Sequence, residues 1–301
     1  MTLFAYVLGF LAAMSNGAAN VAQRAASRQE PPELQFSLRL ILHLARRPVW
    51  VAGIGAVVLS FILQAIGLGL GSLTGVEPLL VLELPLTLMG ARWLLGEHIG
   101  RQGWSAIALM TGSTVCLIAA LGPSGGSPRG VSWEEWIMAI GLTAAAAAIL
   151  FLAARATSNL ARRAALLGTA TGITFGLAAS LVKGTTARFS EGGLAAVFSS
   201  WELYLAFAVG FFAMWLLQSA MNAGRLVVAQ PGMTLADPFV SIIWGTAVFG
   251  ESVRSGGYLV LAVAAGVVLT LATVALARSP ALVDTRAKPE QREADRPPAR
   301  N

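Results

Sequence analysis

Two carboxylates, Glu83 and Asp237, lie deep inside apolar runs, each between two prolines seven residues apart: Pro78 and Pro85 around the first, Pro231 and Pro238 around the second. At 1.5 Å per helical residue, Glu83 lies ~12 Å into its run. That is close to the middle of a hydrocarbon core about 30 Å thick. Asp237 reaches a similar depth from the other side. An ionised carboxylate there costs at least ~2.5–3.5 kcal/mol. It must be protonated, paired with a cation or turned to water, so the pair is predicted to be proton- or ion-coupling. The plainer alternative is a protonated carboxyl hydrogen-bonded to a neighbouring helix. Each proline also frees the carbonyl four residues earlier, here Thr74, Val81, Val227 and Thr234. Freed carbonyls persist in a membrane only where something satisfies them. The four prolines are therefore candidate kinks and gates, although a kink that only improves packing is the plainer reading of any one.

Helical spacing groups the other polar residues. Gln230, Thr234, Asp237 and Ser241 recur at i, i+4, i+7 and i+11, which is one face. Glu83, Thr87 and Gly90 form a shorter face; Asn16 and Asn20, then Ser60 and Gln64, then Gln218 and Asn222 form others. Asn16, Asn20, Gln64, Gln218, Gln230 and Thr234 are the candidate substrate-binding residues. The alternative for each amide is an interhelical hydrogen bond worth under ~1–2 kcal/mol. Glu97 and Glu251 follow a glycine at a helix end and are read as capping or topological residues. Glu77 is placed at the outer mouth, and Lys183 and Arg24 are read as interfacial anchors. His43 and His98 have no ligand partner at i+3 or i+4, so no metal site is expected. No His-Glu-x-x-His, Gly-x-Ser-x-Gly or P-loop is present. Neither enzymatic activity nor a cofactor is expected.

The elements that hold these residues are membrane helices. Of 301 residues 56% are apolar and only 12% charged, with a mean hydropathy of +0.70, against about 25% charged in a soluble domain. Nine runs are long enough to span, near 3–22, 48–70, 75–95, 104–121, 134–154, 163–183, 201–221, 226–249 and 257–277. The segment 34–46 is too short and carries Arg39 and His43, so it is read as an amphipathic surface helix; a tenth span there is the minority alternative. Residues 279–301 are polar and Pro-containing, and are read as a disordered tail. With the N-terminus outside and the C-terminus cytoplasmic, inner loops hold eleven arginines before the tail. Outer loops hold Arg129, Lys183, Arg188 and Arg254, as the positive-inside rule requires. Trp133, Trp136 and Trp201 would form the outer aromatic belt. The net charge of +6 lies in short loops and the tail and does not imply nucleic acid. The lone Cys116 excludes an intrachain disulfide.

The chain also repeats. At an offset of 154, Gln64 meets Gln218, Glu83 meets Asp237, and Glu97 meets Glu251. The prolines align at 153, and the first helix meets the sixth at 159, pairing Gly9 with Gly168, Gly17 with Gly176 and Arg24 with Lys183. The expected plan is a first repeat over 1–122, a connecting helix within 123–160 and a second repeat over 161–278. One connecting helix inverts the second copy, a plan that puts the substrate near the midplane between the repeats.

The segments VLELPLTLMGARWLLGEHIGRQGW and MTLADPFVSIIWGTAVFGESVRSGGY, each ending in a Gly-Glu motif, resemble those of the drug/metabolite transporter superfamily. The resemblance covers residues 1–278 and is nearest to EamA-type and NIPA-like members. It implies a secondary transporter of the bacterial cytoplasmic membrane that works by alternating access on a small molecule or ion; a monomer or homodimer is expected. A Mg²⁺ or other divalent-cation transporter of the NIPA-like type is the first alternative. A non-transporting assembly or sensor protein is the second. The chain departs from the common ten-helix plan and has Asn16 and Asn20 where small multidrug exporters carry a first-helix glutamate.

Overall fold

The computed structural model describes residues 2–27, 47–223 and 226–277. The predicted surface helix 34–46 and tail 279–301 lie outside the described residues. The described chain is all-α apart from one two-residue strand pair. Its helices are α1 (Thr2–Ser27), α2 (Pro48–Leu70), α3 (Leu73–Leu80), α4 (Glu83–Leu95), α5 (Arg101–Leu121), α6 (Trp133–Ala156), α7 (Leu160–Phe198), α8 (Trp201–Ala223), α9 (Leu226–Ile243) and α10 (Gly257–Ala277). A π-turn over Trp244–Val248 continues α9. Among the described residues eight spans are long and apolar enough to cross a membrane, with α3 and α4 together making one of them. Phe211, Val260 and Leu142 are 81%, 71% and 67% exposed. A surface so apolar is a liability in water and suits lipid, so this is a multi-pass membrane protein.

Local sequence explains where helices start, stop and break. Ser132 opens α6 with a capping box: its hydroxyl accepts from the Glu135 amide while the Glu135 carboxylate accepts from the Ser132 amide. Asn159 caps α7 by accepting from the Arg162 amide. Gly96 ends α4 at φ 68°, a conformation that favours glycine. The predicted helix 75–95 is broken at Val81–Leu82. The break puts Pro85 in the first turn of α4, where its missing N–H costs nothing. The Val81 carbonyl, expected to be freed, accepts from the Leu84 amide at 3.4 Å. In the other half Pro231 and Pro238 lie inside one continuous helix.

The predicted helix 163–183 is much longer in the structure, running to Phe198 with a kink at Gly192 and Gly193. At 1.5 Å per residue the part of α7 before the kink extends ~48 Å, well beyond a 30 Å core. Its far part packs at the end of the molecule that also holds the strand pair, β1 (Ser124–Gly125) against β2 (Glu251–Ser252). There Arg129 donates to the Ala187 carbonyl, Arg188 pairs with Glu202 at 2.8 Å, and the Arg254 amide donates to the Leu121 carbonyl. Trp133, Trp136 and Trp201 stack edge to face at this end. Trp136, expected in an interfacial belt, is 3% exposed and packs on Trp244 and Phe249. Neighbouring helices bury its ring before lipid headgroups reach it.

Packing follows a pattern that occurs twice. In the first half α1 packs on α2, α3 and α4; in the second α7 packs on α8 and α9. α5 of one half packs on α10 of the other, around Met110, Leu117, Ala265, Leu269 and Leu276. Small residues let the first helix of each half approach closely. A Cβ on Gly172 would meet the Met233 carbonyl of α9, and one on Gly168 the Ala229 carbonyl.

Candidate functional site

Glu83 is the first residue of α4, beside the break. A helix N-terminus favours a negative side chain. Two amides from α1 complete its surroundings: Asn16 Nδ2 donates to Oε2 at 2.6 Å and Asn20 Nδ2 to Oε1 at 2.6 Å. Asn16 and Asn20 lie four residues apart, so one face of α1 presents both donors to one carboxyl group. Together they supply part of what water would give a carboxylate. Close approach of the two helices makes this reach possible, since a Cβ on Gly17 would lie 3.3 Å from the Glu83 carbonyl oxygen.

Asp237 occupies the matching place in the other half. A Cβ on Gly176 would lie 2.9 Å from the Asp237 carbonyl oxygen. Gly17 of α1 and Gly176 of α7 thus each bring a helix against the backbone of an acid, Glu83 on α4 and Asp237 on α9. Their surroundings differ. Asp237 Oδ1 is buried with no hydrogen-bond partner in the structure. Its carboxylate lies within electrostatic reach of both Glu77 and Glu83.

Glu77 is the acid whose place sequence reasoning missed. Read as lying at the outer mouth, it is 2% exposed on α3, and Gln64 Nε2 of α2 donates to its Oε1 at 2.8 Å. The kinked chain between α2 and α4 brings it inward. The signal was present: at the proline offset of 153 Glu77 aligns with Gln230, one of the candidate binding residues.

Hydroxyl groups mark the site further. Thr114, Thr171, Thr174, Thr185 and Thr273 each donate to the carbonyl four residues earlier, the usual refuge of a helical hydroxyl. Thr87 and Ser241 do not. Each lies one turn beyond an acid, Glu83 or Asp237, and each hydroxyl is buried without a partner. A buried polar group without a partner costs about 1–3 kcal/mol. Each half thus sets an acid and an unsatisfied hydroxyl one turn apart.

The remaining predicted residues divide. Gln230 and Thr234 are half-buried on α9, on the helix that carries Asp237. Gln218, matched to Gln64 by sequence, is exposed on α8. Pro78 and Pro85 flank the α3–α4 break, and Pro231 and Pro238 flank Asp237. Among the described residues no group of three His, Cys, Asp or Glu side chains is close enough to hold a metal ion.

A second buried charge cluster lies at the β1–β2 end. Lys183, read as an interfacial anchor, is 6% exposed. Its Nζ donates to the Gly71 carbonyl at 2.6 Å and the Leu68 carbonyl at 3.3 Å, and lies 3.5 Å from Glu251 Oε1. Glu251 accepts from the Leu73 and Thr74 amides at 2.6 and 2.9 Å. The ammonium satisfies the C-terminus of α2 and the carboxylate the N-terminus of α3, as the helix dipole favours. The extension of α7 past the expected end is why Lys183 is enclosed.

No protein family's sequence profile matches this chain, and no solved structure matches it. It is similar to an uncharacterized protein of Corynebacterium glutamicum, 27% identical over 278 residues, which span 92% of this chain and 96% of that protein.

Proposed function

We propose that the protein is a secondary active transporter of the drug/metabolite transporter superfamily, moving a small solute across the bacterial cytoplasmic membrane by alternating access. The observation that carries this reading is the pairing of acid and unpartnered hydroxyl, Glu83 with Thr87 and Asp237 with Ser241, at matching places in the two halves. A static membrane helix gains nothing from such groups, and their cost is recovered when a ligand, proton or water meets them. Glu83 and Asp237 are the coupling groups, taking up and releasing a proton or cation. Glu77, Gln64, Gln230 and Thr234 line the path. Nine spanning helices arranged as two inverted repeats, N-terminus outside, account for the doubled packing.

Alternating access needs one end to close while the other opens. The Lys183–Glu251 pair is the lock at the β1–β2 end, holding α7 to the α2–α3 junction. Breaking it frees α3 to swing at the Val81–Leu82 break.

A divalent-cation carrier is the second reading, favoured by Asp237 lying within electrostatic reach of two further acids, Glu77 and Glu83. Mg²⁺ retains several waters and needs only one or two carboxylates from the protein, which fits acids too dispersed to form a closed cage.

Purified protein in proteoliposomes tests the proposal, with metals, amino acids and cationic metabolites offered under an imposed pH or ion gradient. Flux of one class that collapses with the gradient is expected. Folded protein that moves none of them would favour the assembly or sensor reading.

A further inference from the structure

A cleft of about 180 Å³ lies between α6, α7 and α8, away from the acids. Ala144, Ala148 and Phe151 of α6, Thr174 and Leu177 of α7, and Phe212 of α8 are among the residues that form it. Ala144 and Ala148 are exposed at its rim. Two hydroxyls line it, and both are already engaged. Thr143 donates to the Ala139 carbonyl and accepts from Trp244 Nε1, and Thr174 donates to the Ala170 carbonyl. No free polar group lines it, and an apolar cavity of about 150 Å³ accepts benzene. The cleft is therefore sized and lined for hydrocarbon. From Thr143 to Phe151 it follows α6 for ~12 Å, which suits an extended chain.

One end of the cleft is charged. Arg155 lies one turn beyond Phe151, with its guanidinium carbon 5.9 Å from the centre of that ring. Arg162 and Arg163 follow in the first turn of α7, and all three arginines are exposed. We propose that this cleft binds one acyl chain of an anionic phospholipid, with the headgroup phosphate held at Arg155. Basic side chains at a membrane surface attract anionic lipid by about a factor of five each. An Arg155 that only complements the C-terminus of α6 would show no such preference.

Native mass spectrometry of the full chain, released from nanodiscs of equal dioleoylphosphatidylglycerol and dioleoylphosphatidylcholine, tests this. Wild type should retain phosphatidylglycerol at least five-fold over phosphatidylcholine. Arg155→Gln should lower that preference about five-fold while still retaining lipid. Ala148→Phe, which fills the cleft from its exposed rim, should lose retention of both lipids with helicity by circular dichroism unchanged. Equal retention of the two lipids by wild type would overturn the proposal. So would an undiminished preference in a folded Ala148→Phe or Arg155→Gln protein.

Discussion

Glu83 receives two hydrogen bonds of 2.6 Å and Asp237 Oδ1 receives none, so the two acids have unequal environments. Glu83→Gln removes an ionisable group but can still accept from one of the asparagines. It should fold, with a melting point within a few degrees of wild type, and lose at least tenfold in gradient-driven flux. Asp237→Asn should do the same. Unchanged flux and pH dependence in both would remove the acids from the mechanism. Asn16→Ala leaves one Glu83 oxygen buried and short of a donor, at about 1–3 kcal/mol. In a double-mutant cycle with Glu83→Gln most of that cost should vanish, because the charge that needed the donor is gone. The depth of Glu83 and Asp237 was legible in the sequence, since an acid amid twenty apolar residues is conspicuous wherever it points. The fates of Glu77 and Lys183 were not. Both lie near the ends of the expected helices 75–95 and 163–183, where a few residues of extra helix or a broken turn decide between solvent and core.

At the scale of elements, the glycines of α7 set how near α9 can come. A Cβ on Gly172 would strike the Met233 carbonyl, and backbone cannot move aside as a flexible side chain can. Gly172→Leu should force α7 and α9 apart, lower the melting point and abolish flux. Gly112→Ala, where a Cβ meets nothing within 4 Å, should leave both unchanged. The apolar runs were readable from composition and length, and each of the nine became helix. What composition could not place was the interruption at Val81–Leu82, because proline marks a weak point without saying on which side the chain yields. In the first half it yields between Pro78 and Pro85; in the second a continuous helix accommodates both prolines and a π-turn follows it. The difference falls on the helix that carries Glu83.

For the whole molecule, the buried Lys183–Glu251 pair of the second half holds the first at one end, through the Leu68 and Gly71 carbonyls and the Leu73 and Thr74 amides. Removing one member of a buried pair costs about 3–5 kcal/mol, because the other charge is stranded. Lys183→Met should therefore destabilise the closed β1–β2 end, and the double variant Lys183→Met with Glu251→Gln should recover part of the loss. The thermal melts of the single and double variants measure this. The central claim is that the acid-and-hydroxyl pairs face a cavity reached in turn from either side of the membrane. Ser241→Cys with Cys116→Ala leaves one thiol beside Asp237, Cys116 being the sole cysteine of the chain. Labelling it in sealed vesicles with a membrane-impermeant thiosulfonate, added to one side at a time, needs no knowledge of the substrate. The account predicts reaction from both sides, with the β1–β2 side accelerated when Glu251→Gln is added. A thiol that reacts from neither side would contradict it.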